Sequence, residues 1–156
     1  MLKKEIQDNI IIATLSDKKT NAITRETLGQ FSEIVKELNT DSSLKGLILT
    51  GEGRAFSSGF SLPMFLGFKN SEDIISFFNH EEQVLLDFFT CDKPVVSAVN
   101  GHCVAMGLIL CMASDYTIIK NHPKIKIGMS EIKLGLSLSV AQAEVMKFGL
   151  DSDKKY

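Results

Sequence analysis

Apolar residues along this chain switch repeatedly between short solid or alternating runs and a three-and-four spacing. Residues 2–15 read as two short strands turning at Asp8-Asn9. The second is the run Ile10-Ile11-Ile12-Ala13-Thr14-Leu15, and a polar loop at 16–20 bounds it. This predicts an opening hairpin. Thr24 is placed to cap a helix with Glu26 in its first turn. Leu28, Phe31, Ile34, Val35 and Leu38 then recur at helical spacing until Asn39-Thr40-Asp41. Residues 46–50 form a buried strand ended by Gly51-Glu52-Gly53.

The second half repeats the alternation. A long helix is predicted over 71–90 with Ile74, Ile75, Phe77, Phe78, Val84, Leu85, Phe88 and Phe89 on its apolar side, and Lys93-Pro94 breaks it. A strand at 95–99, a turn at Asn100-Gly101, a short buried helix at 106–112, strands at 116–119 and 124–127 and a helix at 141–148 follow. Strands separated by such helices give an α/β layered fold. Because strand pairs recur between helices, the repeating unit is two strands and a helix. A chain of 156 residues with 44% hydrophobic content fits one domain over 1–156.

Charge changes the picture only by exclusion. With 17 basic and 19 acidic residues the net charge is −2, so no global field favours nucleic acid or an anionic membrane. A polyanionic ligand would have to be met locally. Cys91, Cys103 and Cys111 are odd in number, sit among apolar residues and lack paired ligand spacing, which fits reduced core thiols. The N-terminus lacks a signal-type apolar region and no apolar run is long enough to span a bilayer, so a cytoplasmic protein is expected. No metal-ligand spacing links His80, His102 and His122, and Asp115 is read as a hydrogen-bonding residue at a strand start.

Two segments share one pattern. Arg54-Ala55-Phe56-Ser57-Ser58-Gly59-Phe60-Ser61-Leu62 follows a buried strand and opens toward a short helix. Asn100-Gly101-His102-Cys103-Val104-Ala105-Met106-Gly107-Leu108 likewise leads from strand and turn into a helix start. Small residues allow close approach of a ligand to the main chain, and free N–H groups at a helix start accept an anion; ordinary strand-to-helix connections use the same residues.

Taken together, the two segments and their spacing resemble the paired oxyanion-hole motifs of the crotonase (enoyl-CoA hydratase/isomerase) superfamily. Lys19-Thr20-Asn21-Ala22-Ile23 and Gly128-Met129-Ser130-Glu131-Ile132-Lys133-Leu134-Gly135-Leu136 extend the likeness over the whole chain. The resemblance implies a spiral of repeated ββα units that takes an acyl-CoA thioester. Its oxyanion donors would be the main-chain N–H groups of Phe60 and Met106. Ala22, Phe56, Ser58, Gly59, Gly107 and Ile109 would lie along the substrate and coenzyme A. No cofactor is implied beyond coenzyme A as part of the substrate. With the C-terminal helical region usual in the family, which has no counterpart in residues 1–156, a homotrimer or dimer of trimers is implied.

The acid/base positions depart from that pattern. The first of the two glutamates that hydratases resemble one another in having falls on Ile109, which cannot activate water. The second falls on Glu131, after Ser130 in place of the usual proline; by itself Glu131 also reads as a first-turn acid behind a Ser130 cap. A single carboxylate suits movement of a double bond from 3-enoyl-CoA to 2-enoyl-CoA better than hydration. Decarboxylation, thioester hydrolysis, or a non-catalytic acyl-CoA-binding or assembly role are the alternatives. Clp protease subunits resemble crotonases in fold, but Ala105 stands where their nucleophilic serine would be. Met64, Phe65, Leu66, Phe68 and Phe77 are candidates for an apolar acyl site or for core.

Overall fold

In the computed structural model, which describes residues 1–17, 19–131 and 135–150, the opening hairpin turns on Asp8 and Asn9. Both take positive φ, 51° and 67°. This is the two-residue turn whose twist matches paired strands, and Asp and Asn tolerate it. It joins β1 (Leu2–Gln7) to β2 (Ile10–Leu15), antiparallel with Gln7 opposite Ile10. Then α1 (Arg25–Thr40) starts where Thr24 Oγ1 accepts from Thr27 N–H.

The two-strands-and-a-helix unit then recurs. β3 (Gly46–Gly51) and β4 (Ala55–Ser57) precede α2 (Leu62–Phe65) and α3 (Ser71–Phe89). β5 (Val95–Val99) and β6 (His102–Val104) precede α4 (Met106–Met112). β7 (Tyr116–Ile119) and β8 (Ile127–Gly128) precede α5 (Val140–Gly149). The opening hairpin and the first strand of each later pair form one sheet, ordered β1-β2-β3-β5-β7; the second strands of the later pairs build another, β4-β6-β8. The expected crotonase-like spiral is the observed architecture.

Parallel pairing brings Ile11, Leu47 and Val95 into one row and Ala13, Leu49 and Ser97 into the next, all on the buried face. Helices α1 and α3 cover that face, Phe31 meeting Phe88 edge-on with centroids 6.0 Å apart. Burying side chains of this size contributes roughly 1.5–3 kcal/mol each, so this layer is the rigid platform on which the second sheet rests.

Four expectations change. Ile74 and Ile75 are exposed; the inward stripe of α3 is Phe77, Glu81, Val84, Leu85 and Phe88, with an acid at an apolar position. The strand expected at 124–127 pairs only at Ile127–Gly128, because β6 offers a partner just three residues long and Ile125 N–H instead closes a turn onto His122 O. Leu66 is 90% exposed and so no part of an apolar wall. Cys91 lies half-buried at the edge, leaving Cys103 and Cys111 as the core thiols. Ile132, Lys133 and Leu134 of the Glu131 motif, Lys18, and residues 151–156 fall outside the described residues.

Candidate active site

The short second sheet explains how the two glycine-bearing segments meet. β4 and β6 run parallel with Ser57 opposite Cys103. Three residues past that pair, beyond the ends of both strands, come Phe60 and, at the first position of α4, Met106, so parallel pairing delivers both main-chain N–H groups to the same end of the sheet. β8 joins the other side of β6, Cys103 opposite Ile127 and Val104 opposite Gly128, and Glu131 follows from the same end.

Contacts at that edge leave no room for side chains. A Cβ on Gly59 would lie 2.6 Å from Ala105 Cβ and 3.2 Å from Met106 N, and one on Gly107 would lie 2.8 Å from Ser57 Cβ. Gly59 takes φ 84°, open to glycine at little cost. Ala105 takes φ 55° and ψ −132°, a conformation that costs a non-glycine residue about 1–3 kcal/mol. Its N–H is held by Gly128 O at 3.1 Å, while its own carbonyl accepts from Leu108 and Ile109 to start α4.

Among the described residues, neither Phe60 N–H nor Met106 N–H has a hydrogen-bond partner, whereas the N–H groups of Gly59, Ser61 and Ala105 do. Ile23 bridges Phe60 in parallel fashion: Ile23 N–H donates to Gly59 O at 2.8 Å and Ser61 N–H to Ile23 O at 2.9 Å, which turns the Phe60 N–H to the other side. Gly59 N–H donates to Ser57 Oγ at 3.1 Å, and that hydroxyl donates to Asn21 O at 2.8 Å. Two adjacent, uncommitted main-chain donors are what an oxyanion requires.

Asn21 was assigned no role from sequence, yet it ties the site together. It is buried at φ 53°, its Nδ2 donates to Ala55 O at 2.7 Å and to Glu52 O at 3.0 Å, and its Oδ1 accepts from Asp17 N–H at 3.0 Å. The readable signal was an Asn inside a polar loop, a residue type that tolerates positive φ. Ser57, fully buried, was likewise overlooked among its small neighbours.

The remaining candidates divide between site and core. Ser58 N–H is held by Thr20 O at 2.9 Å, and Ala22 is half-buried beside Ile23, the residue that bridges Phe60. Phe56 is fully buried and Ile109 1% exposed; their side chains belong to the core. The Phe60 ring packs edge-on against Phe77 (5.3 Å), Phe65 (6.0 Å) and Phe78 (6.5 Å), with Phe68 edge-on to Phe65 beyond, so an apolar wall stands next to the donors. Glu131 is half-buried, and its Oε2 accepts from Ser130 N–H at 2.8 Å. Asp115 accepts from Val95 N–H at 2.8 Å, as expected at a strand start.

A cavity of about 650 Å³ opens beside Asn21, lined by Ser16, Asp17, Lys19, Asn21, Glu52 and Arg54. Glu52 is paired with Lys3 at 2.9 Å, whereas Lys19 and Arg54 form no ion pair among the described residues. No described helix is long and apolar enough to cross a membrane.

A family model described as enoyl-CoA hydratase/isomerase matches residues 5–147. Over 137 residues the chain is 28% identical to mitochondrial enoyl-CoA delta isomerase 1 of Mus musculus, covering 87% of this chain and 47% of that protein. It is 28% identical over 127 residues to a probable enoyl-CoA hydratase of Bacillus subtilis (strain 168), covering 81% and 48%. The chain therefore spans about half the length of these curated relatives. A solved enoyl-CoA hydratase/carnithine racemase from Magnetospirillum magneticum shares the fold, with TM-score 0.85 at 22% identity over 94% of this chain and 55% of that one.

Proposed function

Because the chain belongs to the enoyl-CoA hydratase/isomerase family, we propose that it binds an acyl-CoA thioester and moves the double bond of a 3-enoyl-CoA to the 2-position. The observation that carries this reading is the pair of uncommitted N–H groups, Phe60 and Met106, set side by side by the β4/β6 register. Removing a proton from the carbon next to a thioester places negative charge on the carbonyl oxygen. Each preorganised donor there is worth about 2.7–4 kcal/mol in the transition state.

Glu131 is the base. It takes the proton from the α carbon, the electron pair shifts so that the double bond moves from the β,γ to the α,β position, and the same carboxyl returns the proton to the γ carbon. One carboxyl suffices for this round trip. Hydration needs a second group to activate water, and the position where the family pattern would put it holds Ile109, sealed in the core. The aromatic wall around Phe60 takes the acyl chain, and Lys19 and Arg54 meet the phosphates of coenzyme A, which is needed only as part of the substrate.

The test is hydrogen exchange at the α carbon of hexanoyl-CoA in deuterium oxide, together with isomerisation of trans-3-hexenoyl-CoA. Glu131→Gln is expected to bind hexanoyl-CoA within about threefold of wild type and to lose exchange by about a hundredfold or more. Exchange that survives the substitution removes Glu131 from the mechanism. Binding without exchange in the wild type would identify a non-catalytic acyl-CoA-binding relative.

A further inference from the structure

Glu81 is the one carboxylate among the described residues with no exposed surface, 0%. It lies on the inward stripe of α3, one turn beyond Phe77, the residue whose ring meets Phe60 beside the donor pair. Its Oε1 accepts from Gln142 Nε2 at 3.1 Å, and its Oε2 is enclosed without a partner. An enclosed carboxyl with one unsatisfied oxygen costs stability relative to an apolar side chain of the same volume. Packing alone is therefore poorly served by a glutamate here.

What Glu81 does hold is the first turn of α5. Gln142 Oε1 accepts from Ser139 N–H at 3.2 Å while Ser139 Oγ accepts from Gln142 N–H at 3.3 Å, a reciprocal cap. The neighbouring Glu82 adds a second grip, its Oε1 accepting from Ala141 N–H at 3.4 Å. Ser139 lies three residues beyond Leu136, whose N–H donates back to Glu131 O at 3.1 Å, and on the near side of Glu131 the chain is fixed to Ala105 N–H through Gly128 O at 3.1 Å. Glu131 thus hangs between two anchors, one at Ala105 and one at α5.

We propose that Glu81 is a positioning residue for Glu131, acting through Gln142 and the cap of α5 to fix the chain that leads back to Leu136 and its hydrogen bond with Glu131 O. This inference rests on the reading of Glu131 as the base. Burial pushes the Glu81 carboxyl up to about 7, in keeping with a neutral acid accepting an amide N–H in an apolar layer. The nearest charged side chain acting on it is Glu82, on the same helix. A misplacement of about 1 Å at a reacting group can cost a hundredfold in rate, so loss of the far anchor is legible in turnover.

The experiment compares Glu81→Leu, Glu81→Gln, Gln142→Leu and the Glu81→Leu/Gln142→Leu double variant in turnover of trans-3-hexenoyl-CoA and in thermal melting. Glu81→Leu fills the same space and is expected to melt at or above wild type, yet to lower kcat about tenfold or more with KM within about twofold. Glu81→Gln keeps the acceptor toward Gln142 and is expected to retain kcat within about threefold. Gln142→Leu should match the Glu81→Leu loss, and the double variant should add nothing, as two members of one relay. A folded Glu81→Leu with wild-type kcat, a loss confined to KM, or additive losses would overturn the proposal, as would both single variants melting well below wild type. Should Glu131→Gln abolish α-hydrogen exchange while Glu81→Leu leaves kcat intact, this inference fails and the base assignment stands; should Glu131→Gln retain exchange, the base assignment itself fails.

Discussion

Gly59 and Ala105 touch so closely that a Cβ on the glycine would stand 2.6 Å from the Cβ of the alanine. Each sits one residue ahead of a donor, so this contact sets the spacing of the Phe60 and Met106 N–H groups. Gly59→Ala would force the two strands apart and put alanine at φ 84°, where an L-residue costs roughly 1–2 kcal/mol before any clash. The expected result is a loss of about 2–4 kcal/mol in urea unfolding and loss of hexanoyl-CoA exchange. A Gly59→Ala protein with wild-type exchange would show that the spacing of the pair is not what the chemistry uses.

The opposite substitution at the partner position tests the strain. Ala105 is held at φ 55° and ψ −132° by its N–H to Gly128 O and its carbonyl to the start of α4. Ala105→Gly relieves about 1–3 kcal/mol of backbone strain and costs about 0.4–1 kcal/mol through the freer unfolded chain. A net rise in melting temperature with turnover retained is expected. A fall would mean that the methyl group, packed against Gly59, matters more than the conformation.

The platform of the fold was legible because its signals are local. The β1/β2 hairpin, α1, β3, α3, β5, α4, β7 and α5 each carry enough apolar residues at one period to announce themselves. β4 and β6 do not. Three residues of mixed size, Ala55–Ser57 and His102–Val104, show no period, and what makes them strands is pairing with each other across the 44 residues that separate them. Phe60 and Met106 were singled out through family likeness alone, and the pairing of β4 with β6 is what brings their N–H groups to one end of the sheet. Glu81 was hidden for a different cause: an acid in a helix reads as a solvated residue unless its place between Phe77 and Val84 on the inward stripe is noticed.

The thiols should differ in reactivity. Cys91 is half-buried with Sγ 3.2 Å from Asn39 Oδ1, and burial pushes its thiol up. Cys103 and Cys111 are buried with sulfurs 3.5 Å apart; the Cys103 thiol is pushed up by sharing a hydrogen bond with Cys111, then by burial. Thiolate is the reactive form. Iodoacetamide on the native, reduced protein near neutral pH is expected to label Cys91 alone and slowly, with Cys103 and Cys111 labelled only after unfolding. Mass spectrometry of the digested protein reads this directly; native labelling of Cys103 would show that the β6/α4 contact opens.

Glu81 also fixes the direction in which pH acts on stability. Its carboxyl is raised from an ordinary 4.5 to about 7, chiefly by burial, so between those values the folded chain binds a proton that the unfolded chain has already released. Stability from this group is therefore complete below about pH 4.5, falls as pH rises to about 7, and is level above that, a total on the order of 3 kcal/mol. Asp41, lowered by its hydrogen bonds from Ser43, and Glu52, lowered chiefly by its hydrogen bond from Lys3 and further by that from Ser16, act with the opposite sign. Their contribution is present above the ordinary carboxylate range and lost in stronger acid, outside the window that Glu81 controls. Glu81→Gln should therefore abolish the decline between pH 4.5 and 7 while leaving the acid limb unchanged, and be more stable than wild type at pH 8. Urea unfolding at pH 5, 6, 7 and 8 checks this. Parallel curves for the two proteins would mean that the carboxyl of Glu81 titrates in its ordinary range and that water reaches it in the folded chain.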